Sequence, residues 1–148
     1  MKWNKFSDEI GVPFLANVAQ PTKRGILGKV AKIYDPLGLA APTTLQGKLL
    51  YREACEEKCA WDMPLSAELV QQWKWESCLP QQINCPRALT SAQQPIENIE
   101  LHAFGDASGK GTAAAVYAVV KQLTSVNKGL VTAKARLAKQ RLTIPRRE

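Results

Sequence analysis

Asp106 is the residue around which a chemical reading of this 148-residue chain turns. It stands in Phe104-Gly105-Asp106-Ala107-Ser108, at the end of a run in which Ile99, Leu101 and Ala103 alternate with Glu100, His102 and Phe104. That two-residue period belongs to a strand. A carboxylate ending a strand with a buried face is costly unless it is paired, solvated or bound to a metal. Two roles follow. As a cation ligand, Asp106 needs further carboxylates beside it. As a turn residue, it accepts hydrogen bonds from nearby backbone N–H groups, as Asp beside Gly and Ser commonly does.

A third chemistry, that of an aspartic peptidase, requires Asp-Thr-Gly or Asp-Ser-Gly contributed twice, so that two carboxylates share one proton. Here Asp106-Ala107-Ser108-Gly109 places an extra residue between the carboxylate and Ser-Gly. That insertion spoils the tight turn that would aim the acid. Thiol and zinc chemistry have little support. Cys55 and Cys59 are separated by three residues, Cys78 and Cys85 by six, and His102 is the single histidine. Zinc sites use tighter pairs of ligands. The four cysteines therefore read as reduced, structural thiols.

Charge points to a polyanion. The net +7 is uneven, with nine basic and two acidic side chains from residue 101 onward, against four and eight in residues 51–100. A basic last third suits nucleic acid better than a membrane surface, and a solvated strand face is the plainer explanation. No apolar run approaches the roughly 18 residues that cross a bilayer. The first twenty residues hold no signal-peptide core. An intracellular, cytoplasmic location without a membrane partner is expected.

The elements that must position Asp106 can be read in order. Residues 1–20 look strand-like, and Pro13 within them suggests an edge strand. Thr22 is a good N-cap for a helix carrying Ile26, Leu27, Val30, Ile33 and Tyr34 on one face. Asp35-Pro36-Leu37-Gly38 stops that helix, because the residue before Pro is pushed out of the α region and Gly allows the turn. A second helix is expected from Thr43 or Thr44 to about Cys59, with an apolar stripe of Leu45, Leu49 and Leu50. A third is expected from about Ser66 to Leu79, ended by Pro80. Trp61, Trp73 and Trp75 could stack on bases, although Trp at helical spacing more often belongs to a core. Residues 80–98 are rich in Pro and Gln and suit a linker. After the Asp106 strand, Gly109-Lys110-Gly111 predicts a turn and residues 112–120 a second strand, whose alanines suit close packing under a helix. Asn127-Lys128-Gly129 predicts a hairpin and residues 130–135 a third strand. Pro145 reads as the first turn of a further helix.

Taken together, Thr22-Lys23-Arg24, Ile33-Tyr34-Asp35-Pro36-Leu37-Gly38, Pro42, Trp61-Asp62 with Pro64, and Pro86-Arg87 resemble the Pol polyprotein of BEL/Pao-type LTR retrotransposons. Phe104-Gly105-Asp106-Ala107-Ser108, Ala133-Lys134-Ala135-Arg136-Leu137-Ala138 and Thr143-Ile144-Pro145-Arg146-Arg147-Glu148 resemble the opening of its RNase H-like domain. The likeness covers nearly the whole chain and is weakest in residues 1–20. It departs at Gly105, where the family usually has Ser, and at Arg147, where it usually has Leu.

The resemblance implies an α+β chain: a small helical, thumb-like unit followed by a truncated RNase H-like three-stranded antiparallel β-meander. Residues 1–89 would be the end of a reverse-transcriptase palm and a helical thumb or connection-like region, 90–98 a linker, and 99–148 the incomplete N-terminal part of the RNase H-like domain. Asp106 and Glu148 would be the first two of the four acidic residues that hold Mg²⁺. Such a centre uses two Mg²⁺ ions about 3.5–4 Å apart to activate water and neutralise the leaving oxygen. Carboxylates suit this hard cation, and the cations relieve the repulsion among them.

The other two ligands would lie beyond residue 148, so the chain alone is expected to bind Mg²⁺ weakly and to cut nothing. The chain also lacks the paired Asp-Asp of a polymerase palm, which excludes polymerisation here. The implied partners are an RNA–DNA hybrid or other nucleic acid and the rest of the polyprotein. Lys134, Arg136, Lys139, Arg141, Arg146 and Arg147 are the candidate phosphate contacts, with charge on an exposed ribbon as the other reading. Two alternatives are a retroelement aspartic peptidase, since such segments carry the name Pao retrotransposon peptidase, and a non-catalytic nucleic-acid-binding remnant.

Overall fold

Thr22 opens the helical part of the chain as its sequence predicts. Its Oγ1 accepts from the Gly25 N–H at 3.0 Å, and α1 follows over Lys23–Ala31. The computed structural model describes residues 1–14, 19–74, 79–90 and 93–139. Helix α2 (Ala41–Glu56) starts two residues before the earlier of the two expected threonines, because Pro42 fits its first turn, where a missing N–H costs nothing. Helix α3 (Ala67–Trp73) is capped by Ser66, whose Oγ accepts from Leu69 N–H at 3.4 Å. Its expected continuation over 75–78 lies outside the described residues. Ile26, Leu50, Ala54, Leu65, Leu69 and Trp73 form the shared core of the three helices.

The apolar face of α1 differs from expectation. Leu27 is 40% exposed, while Lys23 and Lys29 are buried. Ile33 and Tyr34, expected on this helix, lie past its end at Ala31, so the helix stops before Asp35-Pro36. Lys23 is accommodated because its aliphatic stem packs and its Nζ donates to the Cys59 carbonyl at 2.6 Å.

A first antiparallel sheet orders β1 (Lys2–Asn4), β2 (Glu9–Pro13) and β3 (Gln82–Pro86) in sequence. Strand β2 is therefore central, not an edge. Pro13 is tolerated because β1 pairs only with Glu9, Ile10 and Gly11, so the missing N–H faces no ladder. Strand β3 falls in the stretch expected to be a linker, with Ile83 and Cys85 half-buried between exposed polar neighbours. Val12, Phe14 and Ala40 make a second small core, joined by Ile33, Leu39 and Ile83.

The second sheet is the expected meander. Strands β4 (Ile96–Ala107), β5 (Gly111–Gln122) and β6 (Ser125–Leu137) pair antiparallel in the order β4-β5-β6. The reversal between β5 and β6 occurs at Leu123-Thr124, with Gln122 opposite Ser125. Asn127, Lys128 and Gly129 instead lie within β6. Gly129 is there for packing: a Cβ would collide with the Leu89 side chain, which crosses this face of the sheet. The fold is α+β, and among the described residues no helix is long and apolar enough to cross a membrane.

Candidate functional site

Strand pairing fixes what surrounds Asp106. It stands opposite Ala113, which stands opposite Ala135; two residues back, Phe104 faces Ala115 and then Ala133. With a period of two, all six share one face of the sheet. Tyr117 joins them, its ring 6.1 Å from that of Phe104 in an edge-on arrangement. Above the β6 side stand Leu39, Pro42 and Leu45, from α2 and its lead-in. The alanines keep the floor low, but Ala113 and Ala114 are exposed and do not show the expected close packing under a helix. The result is a largely apolar groove of about 410 Å³ with Asp106 on its wall.

The turn after β4 is not built by this carboxylate. Ser108 closes it: its N–H donates to the Gly111 carbonyl at 2.8 Å. Its Oγ accepts from the N–H groups of Lys110 and Gly111 at 3.3 and 3.2 Å. Asp106 is exposed, and its Oδ1 accepts from the adjacent Ala107 N–H at 2.8 Å. A bond to the next residue's own amide is a small structural return for a charged side chain. The hairpin holds its shape through Ser108.

Among the described residues no three or more His, Cys, Asp or Glu side chains gather as metal ligands. His102 and Glu100 lie on the same face of β4, with Nε2 and Oε2 3.4 Å apart. At about 3.3 Å per residue, His102 sits about 13 Å along the strand from Asp106, too far to share an ion. The described residues therefore do not by themselves fit a Mg²⁺ centre. Glu148, the expected second ligand, lies outside the described residues, as do Arg141, Arg146 and Arg147.

Lys134 and Arg136 are described; register sets both on the other face from Asp106, although Lys134 also borders the groove. Lys134 stands with Ala114 and Gly105, and Arg136 with Thr112 and Ala107, on the opposite face of the sheet. Both are exposed, and Lys139 follows just past the end of β6. Of the four cysteines, Cys78 lies outside the described residues, and the other three are free thiols. Cys59 and Cys85 are half-buried, while Cys55 is exposed, contrary to a buried role. Burial pushes the Cys85 thiol up, with Asp35 and Glu9 adding to the effect, so it stays protonated and inert. Trp73 is core, Trp61 lies half-exposed with its ring 6.4 Å from Tyr51, and Trp75 falls outside the described residues.

What sequence spacing could not show is that the short motifs meet one another. Thr22 bridges to Pro64, and Arg24 N–H donates to the Trp61 carbonyl at 3.2 Å. The Arg24 guanidinium grips both Asp62 oxygens at 2.7 and 3.1 Å. Arg87 likewise grips Asp8 at 2.6 and 2.9 Å and lies over the Trp3 ring. Tyr34-Asp35-Pro36-Leu37-Gly38 reaches β6, where the Leu37 carbonyl accepts from Ala133 N–H at 2.7 Å. These residues are joints, and nothing in their spacing along the chain pairs them.

Comparison with curated proteins finds no match, and comparison with solved structures finds none. A family model described as the Pao retrotransposon-like RNaseH-like domain matches residues 22–148. That span runs without interruption from the capped start of α1, through the joints, to the strand bearing Asp106 and past it. The chain belongs to the Pao retrotransposon-like RNaseH-like domain family.

Proposed function

We propose that this chain is a piece of a retrotransposon Pol polyprotein whose reverse transcriptase and ribonuclease H handle RNA–DNA hybrids, and that its Asp106 face lies toward the nucleic acid. The observation that carries the reading is the position of Asp106 within the family match: an exposed carboxylate on a groove wall, beside a turn that Ser108 closes without it. On this reading Asp106 and Glu148 supply the first carboxylates of a Mg²⁺ site that other parts of the polyprotein complete. The described residues do not make that site, so the chain alone binds hybrid and leaves it uncut. Residues 1–89 correspond to the end of the palm and the thumb or connection-like region, and the location is intracellular.

Lys134, Arg136 and Lys139, with Arg141, Arg146 and Arg147, supply the salt-dependent part of the affinity. Lys134 and Arg136 act through their field around the β6 end of the sheet, because they do not share the face of Asp106. The test is fluorescence anisotropy of a labelled RNA–DNA hybrid titrated with the purified chain at several salt concentrations. Binding that weakens steadily with salt is expected. No binding at low salt overturns the reading.

A further inference from the structure

The segment between α1 and α2 is tied down more firmly than a loop connecting two helices requires. The Asp35 carboxylate accepts three backbone N–H groups: Gly38 and Leu39 on Oδ1, both at 2.9 Å, and Ala40 on Oδ2 at 2.7 Å. This holds Gly38 at φ +80°, a left-handed conformation that favours glycine. Gly38 then lies so close to β6 that a Cβ would collide with the Ala133 carbonyl. Beside it, the Leu37 carbonyl accepts from Ala133 N–H at 2.7 Å, on the outer edge of β6.

An unpaired strand edge is a liability that proteins cover with a loop or helix. We infer that residues 35–38 form a strap, locked by Asp35, which closes the outer edge of β6 and makes the helices and the second sheet open as one unit. Helix α1 has already ended at Ala31; Gly38 permits the close approach, and Asp35 fixes it. The strap also leads into Leu39 and Pro42, which wall the groove. Asp35 is thus a positioning residue for that groove and touches nothing in it. Arg52 reinforces the same seam from α2, its Nη1 donating to the Ala138 carbonyl at 2.9 Å. This inference does not depend on what the groove binds.

Hydrogen exchange on the full chain tests it. Ala135, two residues along the same outer edge, is the internal comparison for Ala133. In the unsubstituted chain, the Ala133 amide should be protected well beyond that of Ala135. It should also open with the same denaturant dependence as the Gly38, Leu39 and Ala40 amides. Asp35→Asn, which sets an amide N–H₂ against a backbone donor, should speed Ala133 exchange about tenfold or more while amides of the Ile26 and Leu50 core keep their rates. Equal exchange at Ala133 and Ala135, or separate opening of Ala133 and the 38–40 amides, overturns the strap. So does an Asp35→Asn chain that folds and leaves Ala133 unchanged. If that variant does not fold, the measurements on the unsubstituted chain decide.

Discussion

Asp106 and Lys134 stand on opposite faces of one sheet. Pairing places Asp106 in line with Ala113 and Ala135, whereas Lys134 lies in line with Ala114 and Gly105. The acidic and basic parts of the candidate interface therefore lie on different faces, although Lys134 also borders the groove. Replacing Lys134 and Arg136 together by Gln should lower hybrid affinity and flatten its salt dependence, by less than the slope of about one per residue that direct phosphate contacts would give. The effect of a change at Asp106 should be the same in that background as in the unsubstituted chain, as expected for sites without shared partners. Anisotropy titrations of the four variants across a salt series check both statements.

Cleavage should be absent. Among the described residues no group of three or more His, Cys, Asp or Glu side chains forms around Asp106, and fewer carboxylates hold Mg²⁺ too weakly to organise a phosphodiester for attack. Incubation of the purified chain with a hybrid and Mg²⁺ should leave the RNA strand intact on a denaturing gel. Cutting that vanishes in Asp106→Asn would contradict this.

The first sheet should be acid-sensitive through Asp8. Hydrogen bonds from the Arg87 guanidinium, and then from the Trp3 indole N–H, hold the Asp8 carboxyl below its ordinary value of 3.8. A carboxyl whose folded value is depressed stabilises the fold above its unfolded value. That contribution is lost as pH falls from about 4 through the lower folded value. Arg87→Gln removes the main cause, so the acid transition of the β1-β2-β3 sheet should move to higher pH. The Trp3 indole N–H resonance followed down an acid titration reports it. An unshifted transition would mean that the ion pair has no effect on the fold.

Helix α1 should be the measurable weak point of the helical part, since Gly28, with open space around it, costs it about 1 kcal/mol relative to Ala, while Gly25 is required by the Gln20 carbonyl beside it. Thr22→Ala removes the cap on Gly25 N–H and should cost about 1 kcal/mol. Ile26 is fully buried in the core, and Ile26→Ala should cost about 2–5 kcal/mol through the cavity it leaves. Urea unfolding followed by circular dichroism should rank the two in that order.

Much of this architecture was legible in the sequence. Thr22 and Ser66 announced their helices because a capping hydroxyl acts locally, and the alternation around Asp106 gave the strand. The buried face it implied is not there, since β4 is exposed along its whole length and Ile99 and Leu101 are more than half exposed. Strand β3 was not legible, since Gln82 and Asn84 alternate with only two apolar residues and become a strand by pairing with β2. Asn127-Lys128-Gly129 misled because glycine serves turns and close packing alike, and only the approach of Leu89 separates the two. Buried Lys23 was hidden for a similar reason: its acceptor, the Cys59 carbonyl, lies 36 residues away. Asp106 could be singled out as a candidate from its setting, but the face it shares with the Ala113 and Ala135 positions, and not with Lys134 and Arg136, depends on strand register, and a one-residue slip would have reversed it.

The most direct test of the account is the ratio of hybrid affinities of Asp106→Asn and the unsubstituted chain, measured without divalent cation. Asn keeps an oxygen for the Ala107 N–H, so the substitution removes charge and little else. If Asp106 faces the phosphates, its negative charge opposes binding by about 1 kcal/mol at contact distance in water. The variant should then bind about fivefold more tightly, and added Mg²⁺ should shrink that gain. Equal affinities for the two chains would contradict the placement of Asp106 at the nucleic acid.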